Sequence, residues 1–206
     1  MQLQSIYKNY LSSSGISTDT RSLKKGELFF ALNGEKFNGN QFAEKAISLG
    51  AIKIIVDDQK IASLGPKVIV VKDTLKTLQE LATLHRIKLQ TNIIAITGSN
   101  GKTTTKELVR EVLSQKYCVL ATDGNLNNHI GVPLTLLKLK EHHELAIIEM
   151  GANHLKEIEL LCNITQPNWG YITNFGKAHL EGFGDIQGVI TVSYTHLRAH
   201  ETQFAL

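Results

Sequence analysis

The chain has 206 residues, of which 42% are hydrophobic and 20% are charged, and its formal net charge is +3. This composition is typical of a globular protein with one large domain or two small ones. The basic residues are scattered, and no apolar stretch approaches the ~20 residues that span a membrane. We therefore expect neither a nucleic-acid partner nor a membrane span.

In the first 90 residues, short apolar runs alternate with helical patterns. We predict strands at 28–31, 53–56 and 68–71, and helices at 41–49 and 74–89. Gly50 is suited to end the first helix, and Thr74 is expected to cap the start of the second. A domain boundary is expected near residues 90–91.

The second part of the chain opens with residues 93–96, an apolar run typical of a central strand in a parallel sheet. Further strands are predicted at 119–121, 145–148 and 170–173, and helices at 102–115, 130–139 and 155–162. This repeat of strand and helix predicts an α/β fold with a largely parallel sheet. Such sheets bind ligands at the carboxyl ends of their strands.

A glycine-rich loop follows the first of these strands: residues 97–104 read Thr-Gly-Ser-Asn-Gly-Lys-Thr-Thr. Gly98 and Gly101 allow a tight turn that directs backbone N–H groups, and a helix N-terminus, at one point. Lys102 can then reach the β- and γ-phosphates of a nucleotide, and the Thr103 hydroxyl can bind Mg²⁺. The alternative is a turn that contains lysine by chance.

Other polar positions have two interpretations from the residues alone. Glu149 ends an apolar strand, where it is either an oxygen ligand for a cation or a solvated residue at the sheet edge. His179 follows the last strand, and a lone histidine in a loop is typically structural or solvent-facing rather than functional. Asp19 and Arg21 form a polar turn by their chemistry alone, and the pair at 142–143 (His-His) also indicates a polar turn.

The two cysteines, Cys118 and Cys162, both lie in apolar runs. A disulfide framework or a zinc site needs more cysteines or closer spacing, so we expect two buried, reduced thiols. The N-terminus lacks the basic region and apolar core of a secretory signal. A cytoplasmic protein is predicted.

The glycine-rich loop departs from the general Walker A pattern, which has Gly where this chain has Ile96. The variant Thr-Gly-x-x-Gly-Lys-Thr-Thr resembles the ATP loop of the Mur ligases and of the related folylpolyglutamate synthetases. Two further strings are similar to Mur ligases in general: Thr-Asn-x-x-x-x-His-x-Glu at 173–181, and Asp-Thr-Arg at 19–21 followed by Gly-x-Leu-Phe-Phe-Ala at 26–31. Two more resemble the members that add D-alanyl-D-alanine: Glu-Met-Gly-Ala-Asn-His at 149–154, and the loop Thr-Asp-Gly-Asn-Leu-Asn-Asn-His-Ile-Gly-Val-Pro at 122–133. Asn38-Gly39 stands where the family more often has Asp-Gly.

The resemblance implies a role for each matching residue. ATP would be bound by Gly98, Ser99, Asn100, Gly101, Lys102, Thr103, Thr104 and Asn174, with Lys102 also catalytic. Mg²⁺ would be held by Thr103, Glu149 and His179. The UDP-linked substrate would be contacted by Ser17, Asp19, Arg21, Asn125, Asn127 and Asn128.

The resemblance also implies a reaction. ATP would phosphorylate the carboxylate of UDP-MurNAc-tripeptide, and D-Ala-D-Ala would attack the acyl phosphate, in a monomeric enzyme. Residues 1–90 would be a small α/β domain for the UDP-substrate, and 91–190 a truncated ATP-binding P-loop domain. The fragment alone is expected to be inactive. Two alternatives remain open: another amide-forming ligase of this superfamily, or a non-catalytic module that binds a nucleotide or UDP-sugar.

The last segment, residues 191–206, has no strand or helix period that continues the fold. It resembles the translation of a sequencing-library adapter, and we interpret it as a non-native tail. His196 and His200 are therefore left out of the predicted metal site.

Overall fold

A computed structural model describes residues 2–35, 37–154 and 156–174. The chain divides into two compact units, one ending at Leu81 and the other beginning at Ala82. Each unit contains a four-stranded parallel sheet, so the predicted α/β class is confirmed. In the described ranges, none of the helices combines the length and apolar character that crossing a bilayer requires.

The first unit contains four strands in one parallel sheet, an antiparallel strand pair and short helices. Its elements are α1 (Gln2–Leu11), β1 (Ile16–Ser17), β2 (Leu28–Phe30), β3 (Asn33–Gly34), β4 (Phe37–Asn38), a 3-10 helix (Gly39–Phe42), α2 (Ala43–Ser48), β5 (Lys53–Val56), a 3-10 helix (Gln59–Leu64) and β6 (Val68–Val70). The sheet has the order β1-β2-β5-β6, and β3 pairs with β4.

The core of the first unit lies along its two middle strands. All three residues of β2 and the last three of β5 are buried, as expected of strands covered on both faces. Ala43 and Ala46 of α2 pack in the same cluster as Phe29 and Ile54. Their small side chains let the helix pack closely on the sheet.

The predicted strands of this unit agree with the structure to within one residue, but α1, β1 and the β3–β4 pair were not predicted. Gly50 follows α2 with φ +93°, as expected of a C-cap residue. Thr74 was expected to cap α3 (Thr74–Leu89), and this prediction is wrong. The cap is Asp73, whose carboxylate accepts a hydrogen bond from the Lys76 N–H at 2.9 Å. The Thr74 hydroxyl instead donates to Ala31 O at 3.1 Å.

The second unit repeats strand and helix as predicted. Its elements are β7 (Asn92–Thr97), α4 (Lys102–Leu113), β8 (Val119–Ala121), α5 (Gly131–Leu136), β9 (Leu145–Glu149), α6 (Glu157–Thr165) and β10 (Trp169–Ile172). The parallel sheet has the order β10-β7-β9-β8. All five residues of β9 are buried, so Glu149, at the carboxyl end of this strand, lies next to the core.

The two compact units are separated inside α3, whereas the sequence placed the boundary after it. The second half of this helix belongs to the second unit. There the Arg86 guanidinium donates to Thr165 O at 3.1 Å and to Asn168 Oδ1 at 3.0 Å. His85 Nε2 lies 3.0 Å from Leu139 O. The assignment of residues 1–90 and 91–190 to separate functional domains stays a prediction.

The two thiols differ from each other. Cys162 of α6 is buried as expected, and burial raises the pKa of its thiol to about 12. Cys118 is exposed, so the expectation that both are buried is wrong. Cys118 lies just before β8, at the amino edge of the sheet and outside the core, although it belongs to an apolar run of the sequence.

Candidate functional site

The glycine-rich loop joins β7 to α4 at the carboxyl edge of the second sheet. Gly98 has φ +132° and Gly101 has φ +76°, conformations that disfavour residues with a side chain. A Cβ on Gly98 would also collide with the Thr173 side chain. The tight turn directs the N-terminus of α4, with its partial positive charge, at the loop.

Lys102, the first residue of α4, brings a full positive charge to this loop. Its ammonium donates a hydrogen bond to Gly98 O at 2.7 Å and lies 3.4 Å from Ser99 O. The cation and the helix N-terminus therefore act on the same small volume, which favours an anion such as a phosphate chain.

Asn174, predicted to contact the nucleotide, contacts the loop itself. Its side chain accepts from the Asn100 N–H at 3.0 Å and donates to Asn100 O at 3.1 Å. The neighbouring Thr173 hydroxyl also donates to Asn100 O, at 2.6 Å. Because β10 pairs with β7, the end of β10 braces the tip of the loop. The nucleotide contact of Asn174 stays a prediction.

Glu149 and Thr103, the two described residues of the predicted metal site, lie side by side. The Thr103 hydroxyl donates to Glu149 Oε2 at 3.0 Å, and Asn127 Nδ2 donates to Oε1 at 2.8 Å. The Glu149 residue is 1% exposed, so it is not the solvated edge residue of the alternative interpretation. Oxygen atoms of this kind are the ligands that Mg²⁺ prefers.

A buried lysine, which the sequence analysis missed, lies behind this carboxylate. Lys106 of α4 is 0% exposed, and its ammonium donates to Thr122 O at 2.6 Å. It is 2.9 Å from Glu107 Oε1 and 4.0 Å from Glu149 Oε2. A hydrogen bond from Lys106 holds the pKa of Glu107 below its ordinary value. Lys106 thus joins α4, which carries Thr103, to the residue after β8 and to Glu149 at the end of β9.

A cavity of about 250 Å³ opens beside Lys102, lined by polar residues that include Asn127, Asn128, Asn153 and Glu157. Although burial opposes ionisation of Glu157, hydrogen bonds from the Asn153 and His154 N–H groups hold the pKa of its carboxyl below the ordinary value. The cavity therefore combines a cation, amide groups and a carboxylate within one unit, which suits a polar ligand.

The three asparagines predicted for substrate binding have different surroundings. Asn125 is exposed, and Asn127 contacts Glu149. The Asn128 side chain accepts hydrogen bonds from the Ile130 and Gly131 N–H groups at 3.0 and 2.9 Å, which fixes the turn into α5. Asn127 and Asn128 line the cavity. Substrate contact by these residues stays a prediction.

The predicted substrate residues of the first unit form a local network after β1. The Arg21 guanidinium donates to the Asp19 carboxylate at 2.9 and 2.6 Å, and the Ser17 hydroxyl donates to Asp19 O at 2.9 Å. The hydrogen bond from Arg21 lowers the pKa of Asp19 to about 2. The Arg21 side chain is 86% exposed, so its charge remains accessible to a ligand.

Arg21→Ala is expected to raise the pKa of Asp19 from about 2 towards its ordinary value of about 3.9, as measured by NMR titration of its carboxyl. The rise is incomplete, because the backbone N–H of residue 21 still donates to Asp19 Oδ1. Because the folded-state pKa is depressed, the stabilisation from this pair is present above about pH 4 and is lost as the pH falls towards 2. Lys45→Ala is the matched control, since Lys45 acts on Asp19 only through its charge and contributes least to the lowered pKa. An Asp19 pKa that stays low in Arg21→Ala would contradict this attribution.

A second network at the carboxyl edge of the first sheet was not predicted. Asp57, directly after β5, accepts hydrogen bonds from the Asn33 and Asn40 amides, both at 2.7 Å. The Thr74 hydroxyl donates to its other oxygen at 3.3 Å. Asp57 therefore ties the β3–β4 pair to the end of β5. The only sequence signal was an acid after an apolar strand, which also singled out Glu149.

Two predictions lie outside the described residues. His179, expected as a metal ligand, is one, and the tail of residues 191–206 is the other. Within the described part of the chain, a buried strand, a glycine-rich loop with its lysine, a helix and a carboxylate on the next strand meet at one sheet edge. This arrangement is that of a phosphate-loop α/β fold, which is typical of nucleotide-binding proteins.

Comparison with known protein families narrows this class. Residues 96–201 match the model of the Mur ligase middle domain, and residues 12–86 match that of the Mur ligase family catalytic domain. The chain belongs to the Mur ligase family.

Similar proteins agree with this assignment. The chain is 48% identical over 179 residues to a UDP-N-acetylmuramoyl-tripeptide–D-alanyl-D-alanine ligase of Haemophilus influenzae, covering 85% of this chain and 39% of that protein. It is 43% identical over 178 residues to the ligase of the same name from Bacillus subtilis, covering 85% of this chain and 38% of that protein. The chain thus spans about two fifths of the length of these relatives.

Two solved structures are similar in fold. A crystal structure of MurF from Acinetobacter baumannii aligns with a TM-score of 0.83 at 35% identity, over 95% of this chain and 46% of that one. MurF from Thermotoga maritima in complex with ADP aligns with a TM-score of 0.81 at 30% identity, over 89% of this chain and 42% of that one.

Proposed function

We propose that this chain is the substrate- and nucleotide-binding part of an ATP-dependent ligase that adds D-Ala-D-Ala to UDP-MurNAc-tripeptide. The observation that carries the proposal is the hydrogen bond between Thr103 and Glu149 beside the phosphate loop. It occurs in a chain that is similar to UDP-N-acetylmuramoyl-tripeptide–D-alanyl-D-alanine ligases. A reaction that consumes ATP and a nucleotide-linked precursor is assigned to the cytoplasm, and the proposed enzyme is a monomer.

The second unit has residues that fit ATP and Mg²⁺. The backbone N–H groups at the start of α4 and the Lys102 ammonium suit the phosphate chain, whereas the Ser99 and Asn100 N–H groups donate to Asn174. Mg²⁺ is usually bound by one or two protein oxygens together with substrate phosphates, and Thr103 Oγ1 and the Glu149 carboxylate are such a pair. A bound Mg²⁺ would neutralise phosphate charge. We assign His179 to a second Mg²⁺ and Asn174 to the nucleotide.

The proposed reaction has two steps. A carboxylate oxygen of the tripeptide attacks the γ-phosphorus and ADP leaves; the amine of D-Ala-D-Ala then attacks the acyl carbon and phosphate leaves. Lys102 is placed to neutralise charge on the transferring phosphoryl group, so no nucleophilic side chain is required. The UDP-linked substrate is assigned to Ser17, Asp19, Arg21, Asn125, Asn127 and Asn128.

Lys102→Ala is expected to weaken ATP binding to the 206-residue chain by at least about tenfold, because it removes a charged hydrogen-bond donor to phosphate. Isothermal titration calorimetry with MgATP measures this effect. Lys116→Ala is the control, since Lys116 is exposed beyond the end of α4. Equal affinities of wild type and Lys102→Ala, or no ATP binding by the wild type, would remove the proposed nucleotide site.

Titration with candidate substrates then separates the candidate functions. Binding of UDP-MurNAc-tripeptide, and weaker binding of the dipeptide precursor, is expected for the proposed ligase. A preference for a folate or for another UDP-muramyl substrate would assign the chain to a different ligase of the superfamily. Binding of ATP or a UDP-sugar without any peptide dependence would favour a non-catalytic module.

A further inference from the structure

A cluster of three metal-ligating side chains lies at the amino edge of the second sheet, at the opposite end of the strands from Glu149. Cys118, His142 and His143 each offer one ligand atom, and these atoms all lie within 4.8 Å of one another. Cys118 and His142 are exposed, and His143 is half-buried. From the sequence, the two histidines were predicted to form only a polar turn before the strand.

The parallel register of β8 and β9 brings these residues together. Val119 pairs with Leu145, so the residues just before the two strands are neighbours. Cys118 O accepts hydrogen bonds from the Glu144 and Leu145 N–H groups at 3.0 and 3.4 Å, and the Cys118 N–H donates to Glu144 Oε2 at 3.0 Å. These hydrogen bonds hold the backbone at Cys118 beside the start of β9.

We propose that Cys118, His142 and His143 form a binding site for Zn²⁺ or a similar thiophilic divalent cation, separate from the nucleotide site. A thiolate and two imidazoles favour such a cation over Mg²⁺, which prefers oxygen. Three protein ligands leave a fourth position open for water, or for the Glu144 carboxylate beside Cys118. The two ends of one sheet would then select different metals by their ligand atoms.

Two adjustments are needed for binding. Ligand atoms around tetrahedral zinc lie about 3.5 Å apart, so the cluster must contract, which exposed side chains achieve by changing rotamer. His143 Nδ1 accepts a hydrogen bond from the Lys140 N–H at 2.9 Å. A metal bound at Nδ1 displaces the Lys140 N–H, and a metal bound at Nε2 leaves the ring proton on Nδ1, which can then no longer accept. This hydrogen bond is therefore lost in either case, and the exposed Lys140 N–H can bond to water instead.

The test is titration of the whole 206-residue chain with Co²⁺ and Zn²⁺. Thiolate ligation gives Co²⁺ a sulfur-to-metal charge-transfer absorption, which histidines of the tail cannot produce. We expect this absorption in the wild type and in Cys162→Ser, because Cys162 is buried, and its loss in Cys118→Ser. Zn²⁺ affinity, measured by competition with a chromophoric chelator, should fall at least about tenfold in Cys118→Ser and in His142→Ala.

The double variant His196→Ala/His200→Ala controls for binding by the tail and should keep both signals. Absence of the charge-transfer absorption in the wild type would overturn the proposal. Its persistence in Cys118→Ser, or an unchanged Zn²⁺ affinity in His142→Ala, would do the same.

Discussion

Glu149→Gln is expected to remove most of the Mg²⁺-dependent gain in ATP affinity, at least about tenfold, while leaving metal-free nucleotide binding little changed. The carboxylate is almost fully buried beside Thr103 and the phosphate loop. Glutamine keeps its size but removes the negative charge that a hard cation requires. Calorimetric titration of ATP with and without Mg²⁺ measures the difference.

Glu157→Gln is the matched control for this prediction. Glu157 also lines the cavity, but its carboxylate accepts hydrogen bonds from the Asn153 and His154 N–H groups. Its substitution should leave the Mg²⁺ dependence intact. If both variants lose Mg²⁺ dependence equally, the metal is not held by Glu149 in particular, and the assignment of Glu149 fails.

The phosphate loop was predictable because each of its properties is local. The positive φ angles of Gly98 and Gly101 and the helix start at Lys102 all follow from a short string of residues. The central strands were equally clear, because strands buried on both faces are apolar throughout. Both the α/β class and the positions of the central strands could therefore be predicted from the sequence.

Features that depend on contacts between distant residues were not predictable. Lys106 resembles any charged residue of a surface helix, and only the packing of α4 on β8 and β9 buries it. Cys118 lies in an apolar run, yet it is exposed because β8 begins one residue later. Asp73 rather than Thr74 caps α3, since the Thr74 hydroxyl is engaged by Ala31 and Asp57.

Lys106→Met is expected to lower the free energy of unfolding of the second unit by about 3 kcal/mol, because removal of one partner leaves buried charge uncompensated. Methionine fills similar space but leaves Thr122 O without its donor and Glu149 without the nearby cation. Urea unfolding followed by fluorescence of Trp169, the single tryptophan, reports on this sheet. Lys88→Met, at an exposed position of α3, should change stability by less than about 1 kcal/mol.

The double variant Lys106→Met/Glu149→Gln distinguishes charge compensation from loss of packing. If Lys106 stabilises the fold by balancing Glu149, neutralising Glu149 should recover part of the loss, and the two effects will not add. Strict additivity would mean that Lys106 acts only through Thr122 and packing. Non-additive effects would show that Lys106 offsets the unfavourable free energy of burying the Glu149 carboxylate, the group proposed to bind Mg²⁺.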